Sequence, residues 1–539
     1  MLLSWNLLAT VPLVLLSTSA SALPQAGGVA TPSVNSTTCN GKTYVYNELA
    51  GYGFVPNNAR DKLGDTIGGI GSSIAVASWV RLPNNSYTGQ LYALPDRGWN
   101  TEGTLNYQNR IQKFSIIFTP NASATVADPS PPNLQFTYLD TILLTDPAGN
   151  PTSGLDGALT GPYLTFPGYE FPFPSANYTG DGFGGAGTGG NRLVIDSEGL
   201  VLGHDGTFWV SDEYGDYIYN FSPSGNMINA IRPPLAYIPH RNSNESFSAD
   251  SAPSYNPSLR PTPRDPTTGR ANNQGLEGLT SNPQGTKLYA LTQSALQQDS
   301  GSKNPSTANS RFLVYDISDS SHPPLLEAEY VIHLPNTLPS TPSSRIARQS
   351  EIHYISPTQF LVLARDSGAG RGQGTSTTSI YRHVDVFDIS SATNIAGSFY
   401  DDTTGSIAPG GSLLENVTAA EYCSWLDYNV NSQLERFGVR NGGEQSQGLL
   451  NEKWESLAVV PVLKETTTEA KTETKRTTGE DDNEGEFFVL SFSDNDFITQ
   501  DGYLKNGEFR YQDGSGYSLE NQALLFRVQL PVEEGPLVG

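Results

Sequence analysis

Four stretches set a glutamate at the head of a short apolar run: Glu198 in SEGLVL, Glu277 in LEGLTS, Glu351 in SEIHY and Glu455 in WESLAV. In each case a second apolar run follows, directly or after an insertion. Acids close the second runs: Asp212 and Glu213 after GTFWVS, Asp366 after FLVLAR, Asp494 and Asp496 in FSDND. A diverged copy places Asp96 after LYALP. Carboxylates brought together repel, so they must protonate, hydrate or bind cations. Oxygen ligands without histidine or cysteine suit hard cations, Ca²⁺ before Mg²⁺. The six histidines show no metal-ligand spacing, and His353, two residues after Glu351, is read as structural. Asp96, Glu198, Asp212, Glu213, Glu277, Glu351, Glu455 and Asp494 are the expected cation ligands. Basic residues stand at the same strand ends: Arg97, Arg365, Arg371, Lys453 and, before the Glu198 strand, Arg192. Cations and acids on one rim can hold a small anionic ester. Arg97, Arg365, Glu277 and Asp366 are the expected catalytic group. The alternative needs no ligand: each Glu bonds the neighbouring unit's backbone and each Arg pairs with its adjacent Asp. No G-x-S-x-G nucleophile elbow is present.

The elements that would position these acids repeat along the chain. Period-2 strands dominate and long amphipathic helical patterns are nearly absent. The best helix candidate lies between Leu413 and Phe437. The recurring unit is a Glu-led strand, a turn and an aromatic-rich strand. Third strands follow in YIYNFSP at 217, RFLVYDIS at 311 and HVDVFDIS at 383, and a fourth in MINAIRPP at 227. Four-stranded units repeated with few helices predict an all-β fold, a β-propeller. Five units are legible, and six blades are expected, with five or seven open. FRVQLP at 526 should pair with TYVYNEL at 43 and close the ring, which removes exposed sheet edges. An array of two β-sandwiches is the competing architecture, but sandwich repeats share no axis on which a recurring Glu would converge. In a propeller the first strands line the axis and the second strands return to the same rim, so both sets of acids should meet there.

Residues 1–22 read as a secretory signal, with LLATVPLVLL as its apolar core and Ala20-Ser21-Ala22 as a cleavage site. Residues 23–64 are an N-terminal segment with the closing strand, and 65–539 the propeller. Its insertions are a Gly- and Pro-rich loop at 147–191, a polar loop at 241–272 and a low-complexity run at 464–485, expected to be disordered. Seven N-x-S/T sequons begin at Asn35, Asn84, Asn121, Asn177, Asn220, Asn244 and Asn416. Cys39 and Cys423 are the only cysteines; pairing is expected outside the cell, two buried free thiols being the alternative. A net charge of −24 argues against nucleic acid and anionic membranes as partners. A secreted, extracellular monomer is expected.

GGI at 68, LYALPDRGWN at 91, SEGLV and GTFWVSDEYG from 197, QGLEGLT at 274, FLVLARDSGAGRG at 360, NEKWESLAV at 451 and FSDNDF at 492 together resemble the phytase-like domain family, described as having esterase-like activity of phytase. The resemblance spans most of the mature chain. It falls on Asp96, Arg97, Glu198, Asp212, Glu213, Glu277, Arg365, Asp366, Glu455 and Asp494. The name is shared with bacterial β-propeller phytases, which are calcium-dependent phosphomonoesterases; their full set of basic substrate ligands is not matched here. The resemblance implies a propeller and a calcium-dependent hydrolase of phosphate esters. A propeller carboxyl-esterase or lactonase with a central Ca²⁺, or a non-catalytic calcium-stabilised binding propeller, are the other expectations.

Overall fold

The computed structural model describes residues 33–301, 307–337, 345–374, 377–464 and 485–532. The signal at 1–22 and nearly all of the low-complexity run at 464–485 lie outside them. Strand after strand pairs antiparallel with its sequence neighbour, as the turn-separated apolar runs dictate. The first blade is Ser73–Arg81, Tyr87–Leu94, Arg110–Phe118 and Leu134–Leu143. The second is Ser197–Leu202, Phe208–Asp212, Ile218–Phe221 and Met227–Ile231. The third is Leu276–Ser281, Lys287–Thr292, Asn309–Asp316 and Leu325–His333. The fourth is Arg348–Tyr354, Gln359–Arg365, Arg382–Asp388 and Glu421–Asp427. The fifth joins Ala458–Pro461, Glu486–Phe492 and Asn521–Gln529 to the N-terminal strand Lys42–Val55.

The core shows that these blades form a ring. Ala75 of the first blade packs with Leu200 of the second, and Val201 of the second with Leu279 of the third. Leu291 of the third packs with Val362 of the fourth, Leu363 of the fourth with Val489 of the fifth, and Leu490 of the fifth with Val76 of the first. Each blade thus buries both faces against its neighbours, which is how a propeller protects its sheets. The chain is all-β and propeller-like. Among the described residues the second, third and fourth blades are separate four-stranded sheets, while the first and fifth join through Lys42–Val55 and Leu134–Leu143 into one nine-stranded sheet. The stretches that could have supplied a further blade are Gly- and Pro-rich excursions holding only two-stranded ribbons, Ser175–Tyr178 with Gly190–Leu193 and His240–Arg241 with Asn244–Glu245.

The ring closes as the sequence suggested. Lys42–Val55 pairs antiparallel with Asn521–Gln529, from Val45 opposite Gln529 to Val55 opposite Asn521. At its far end Gly53 meets Leu134 of the first blade, so close that a Cβ would lie 2.3 Å from the Leu134 carbonyl oxygen. Asn35–Cys39 adds a strand outside the closing one, and the Cys39–Cys423 disulfide ties it to the outer strand of the fourth blade across 384 residues of sequence. The expected helix between Leu413 and Phe437 is mostly absent. Glu421–Asp427 is a strand, because its Trp425 N–H and Tyr422 hydroxyl both donate to buried Asp385 on the neighbouring strand. Helix survives at Asn431–Leu434 and in the 3-10 turn Glu435–Phe437 that continues it.

Candidate active site at the acidic end of the ring

The first strands of the second and third blades begin with a bulge. In the third blade Leu276 faces Thr292 and Gly278 faces Leu291, so Glu277 is the extra residue. In the second, Leu200 faces Val210 and Ser197 faces Asp212, with Glu198 inside the irregularity. A bulge re-aims its extra side chain, and both carboxyls turn to the same end of the axis. Glu455 precedes the first strand of the fifth blade, where Trp454 bridges Ser493. Glu198, Glu277 and Glu455 are all buried. Burial first, then Glu277, Asp196, Glu213 and Glu455, pushes Glu198 well above the usual carboxylate range. Burial, Glu213 and Glu455 do the same to Glu277, against Arg365 and Lys453.

Two groups of three carboxyls form around them. Asp196, Glu198 and Glu213 bring one oxygen each within 4.8 Å of one another, and all three side chains are buried. The Glu213 Oε1 accepts from the Gly275 N–H at 3.0 Å. Its Oε2 and both Asp196 oxygens have no hydrogen-bond donor, although Arg97 Nη1 lies 2.8 Å from Asp196 Oδ2. Burial and Asp196 push Glu213 up to about 8. The second group is Asp96, Asp494 and Asp496. Here the chain supplies its own cation: Lys453 Nζ lies 3.0 Å from Asp494 and 2.7 Å from Asp496. Burial opposes the Lys453 charge, but Asp494, Asp496 and Glu455 hold it firmly protonated. Arg365 spans Glu452 and Glu455. Arg348 adds a further charge near Glu213 and Glu277, and burial lowers its proton affinity. Carboxyls still outnumber cations in this pocket. The Asp196–Glu198–Glu213 donor set is oxygen only and contains buried acceptors without donors, so it fits a hard divalent cation such as Ca²⁺.

Three sequence-derived site residues do something else. Asp212 accepts the N–H groups of Asp196, Tyr214 and Gly215 at 2.9, 3.0 and 2.9 Å, so it folds the turn that carries Glu213. Asp366 likewise accepts from Gly368, Ile380 and Tyr381, all backbone, so its oxygens fasten a loop. Glu351 leaves the acidic group altogether. It accepts from Ser73 Oγ at 2.5 Å, Leu279 N–H at 3.0 Å and Ile352 N–H at 2.9 Å, bracing the first, third and fourth blades across the axis. It lines a cavity of about 60 Å³ with Val76, Leu200, Leu279, His353 and Val459. Asp196 and Glu452 escaped the sequence reading because neither recurs in the repeat. The adjacency of Asp196 to Ser197-Glu198 was the available signal. Gln293, whose amide donates to Glu277 Oε1, gave none.

A propeller with a buried acidic centre at one end of its axis is the class that fold and site define. The chain belongs to the phytase-like family, esterase-like activity of phytase, whose model matches residues 80–468. A protein of Arthroderma benhamiae named "Uncharacterized secreted protein" is 50% identical over 502 residues, covering 90% of this chain and 94% of that one. Among solved structures, a luciferin-regenerating enzyme aligns over 87% of this chain and 94% of its own, with TM-score 0.24 and 10% identity. The N11 neuraminidase-like protein of a flat-faced bat influenza virus aligns over 90% and 96%, with TM-score 0.26 and 8% identity. No helix among the described residues is long and apolar enough to cross a membrane.

Proposed function

We propose that this protein is a secreted hydrolase of phosphate esters, assisted by a hard divalent cation, calcium first. Membership of the phytase-like family supports a hydrolase-like role. The observation that carries the cation is the Asp196–Glu198–Glu213 group, in which Asp196 Oδ1 and Glu213 Oε2 are buried with neither a donor nor a cation beside them. Bound there, the cation would polarise a phosphoryl oxygen and acidify water. Around it, Arg97 and Arg365 are held rigidly by their carboxylate partners and orient an anionic group. Glu277 is the proton carrier. Its Oε1 is engaged by Gln293, while Oε2 is buried without a partner, and burial with the neighbouring Glu213 raises its proton affinity well above the usual carboxylate range.

One observation favours a second reading. Arg97, Arg365 and Lys453 each already contact one or more carboxylates, which suits a less charged substrate, a carboxyl ester or lactone. The test is the purified, chelated protein titrated with calcium while its melting temperature and its hydrolysis of phytate, a simple phosphate ester, a carboxyl ester and a lactone are followed. Calcium-dependent release of phosphate supports the first reading; turnover of only the uncharged esters supports the second. Stabilisation by calcium without any turnover overturns both in favour of a binding propeller.

A further inference from the structure

The Asn416-Val417-Thr418 sequon lies on the long connection between the third and outer strands of the fourth blade. Val417 is buried with Ile395, Ile407 and Val331, which fixes the tripeptide, while Asn416 and Thr418 stay exposed. Asn416 Nδ2 donates to the Tyr400 hydroxyl at 3.2 Å. Phe399 packs edge-on against Tyr400 with ring centroids 4.9 Å apart. At 74% exposure Phe399 is the most exposed large apolar side chain of the described residues. An aromatic face left in water is costly, and the C–H face of a sugar can cover it while its hydroxyls stay hydrated.

We propose that Asn416 carries an N-linked glycan whose first sugar lies against the Phe399–Tyr400 pair. In the transfer one Nδ2–H bond is exchanged for a bond from Nδ2 to the anomeric carbon of the sugar. A lipid-diphosphate-linked oligosaccharide is the donor, and its diphosphate leaves as the proton is lost from nitrogen. The second Nδ2–H remains and keeps the bond to Tyr400. Asn220 provides the contrast within the same chain. Its sequon sits in the third strand of the second blade, where Asn220 is 7% exposed and paired opposite Trp209; it stays unmodified. The assignment is independent of the proposed hydrolase activity.

The test uses the full chain secreted from a eukaryotic host, with glycopeptide mass spectrometry and native chymotrypsin digestion. The expected result is a glycan on the Asn416 peptide, none on the Asn220 peptide, and cleavage after Phe399 and Tyr400 that becomes several-fold faster in Asn416→Gln. Thr418→Ala also abolishes the sequon but preserves the Asn416–Tyr400 hydrogen bond, so equal acceleration in it assigns the protection to the sugar. An unmodified Asn416 peptide overturns the proposal. So does unchanged cleavage in a Thr418→Ala protein that melts where the parent melts.

Discussion

Glu277 and Glu351 look alike in sequence and have opposite fates. Each begins a first strand, in the third and fourth blades. From turn to bulge the two ladders correspond: Gly278–Ser281 runs against Leu288–Leu291, and Glu351–Tyr354 against Phe360–Leu363. Glu351 therefore stands where the third blade has Gly278, and the counterpart of Glu277 is Ser350, the extra residue of the fourth bulge. Since side chains alternate along a strand, a slip of one residue moves a carboxyl to another surface. Glu277 reaches the acidic centre beside Glu213 and Glu455, whereas Glu351 crosses the axis to Ser73 and Leu279. One acid is left with a buried oxygen lacking a donor and the other accepts three hydrogen bonds. That difference separates a group available for chemistry from one committed to holding blades together.

Exchanging charge at the two positions is the strongest way to break this contrast. Glu277→Gln keeps the shape of a buried carboxyl whose proton affinity is raised and removes no charge partner it depends on, so the melting temperature should hardly change. Hydrolysis should fall roughly 100-fold through loss of a proton-transfer group. Loss of fold with it would place Glu277 among the structural acids. Glu351→Ala should do the reverse. It orphans Ser73 Oγ and the Leu279 N–H in the core, at a cost of about 3 kcal/mol, read from denaturant unfolding, with kcat/KM intact in the folded fraction. A drop in kcat/KM at unchanged stability would return Glu351 to the active centre.

Calcium sharpens the comparison further. At about 100 times its Kd a single bound ion adds roughly 2.7 kcal/mol of stability. That increment should vanish in Glu213→Gln and persist in Glu351→Gln; calorimetry with and without chelator decides. The smallest effect is on pH. Burial pushes Glu213 and Glu351 from 4.5 up to about 8, and Asp212 from 3.8 up to about 7. Between those limits the folded chain binds protons that the unfolded chain does not. The stability these groups contribute is thus fully present below the unfolded values and is lost as pH rises through 7 to 8. Chelated protein should melt at lower temperature at about pH 8.5 than at about pH 5, and calcium should narrow the gap; a melting temperature rising with pH would contradict these environments.

Much of the architecture was legible in the chain. GTFWVSDE, KLYALTQ and FLVLARD announce second strands by alternation, and TYVYNEL and FRVQLP announce the closing pair. The aromatic run EYCSWLD misled, because a strand at a sheet's edge lacks the turn and alternation signals that exclude a short helix. Of the acids, Glu198, Glu277, Glu455 and Asp494 converge as read, but Asp212 and Asp366 resemble ligands only until their backbone donors are seen.

What the sequence determined by itself is the repeat: local alternation and turn residues act over a few positions, so strand, turn and strand can be read directly, as can the excess of acid. Which carboxyls meet was decided by tertiary structure. Bulge placement sets side-chain direction one residue at a time, and Asp196, Lys453 and Gln293 gain their roles only when blades far apart in the chain close around one axis.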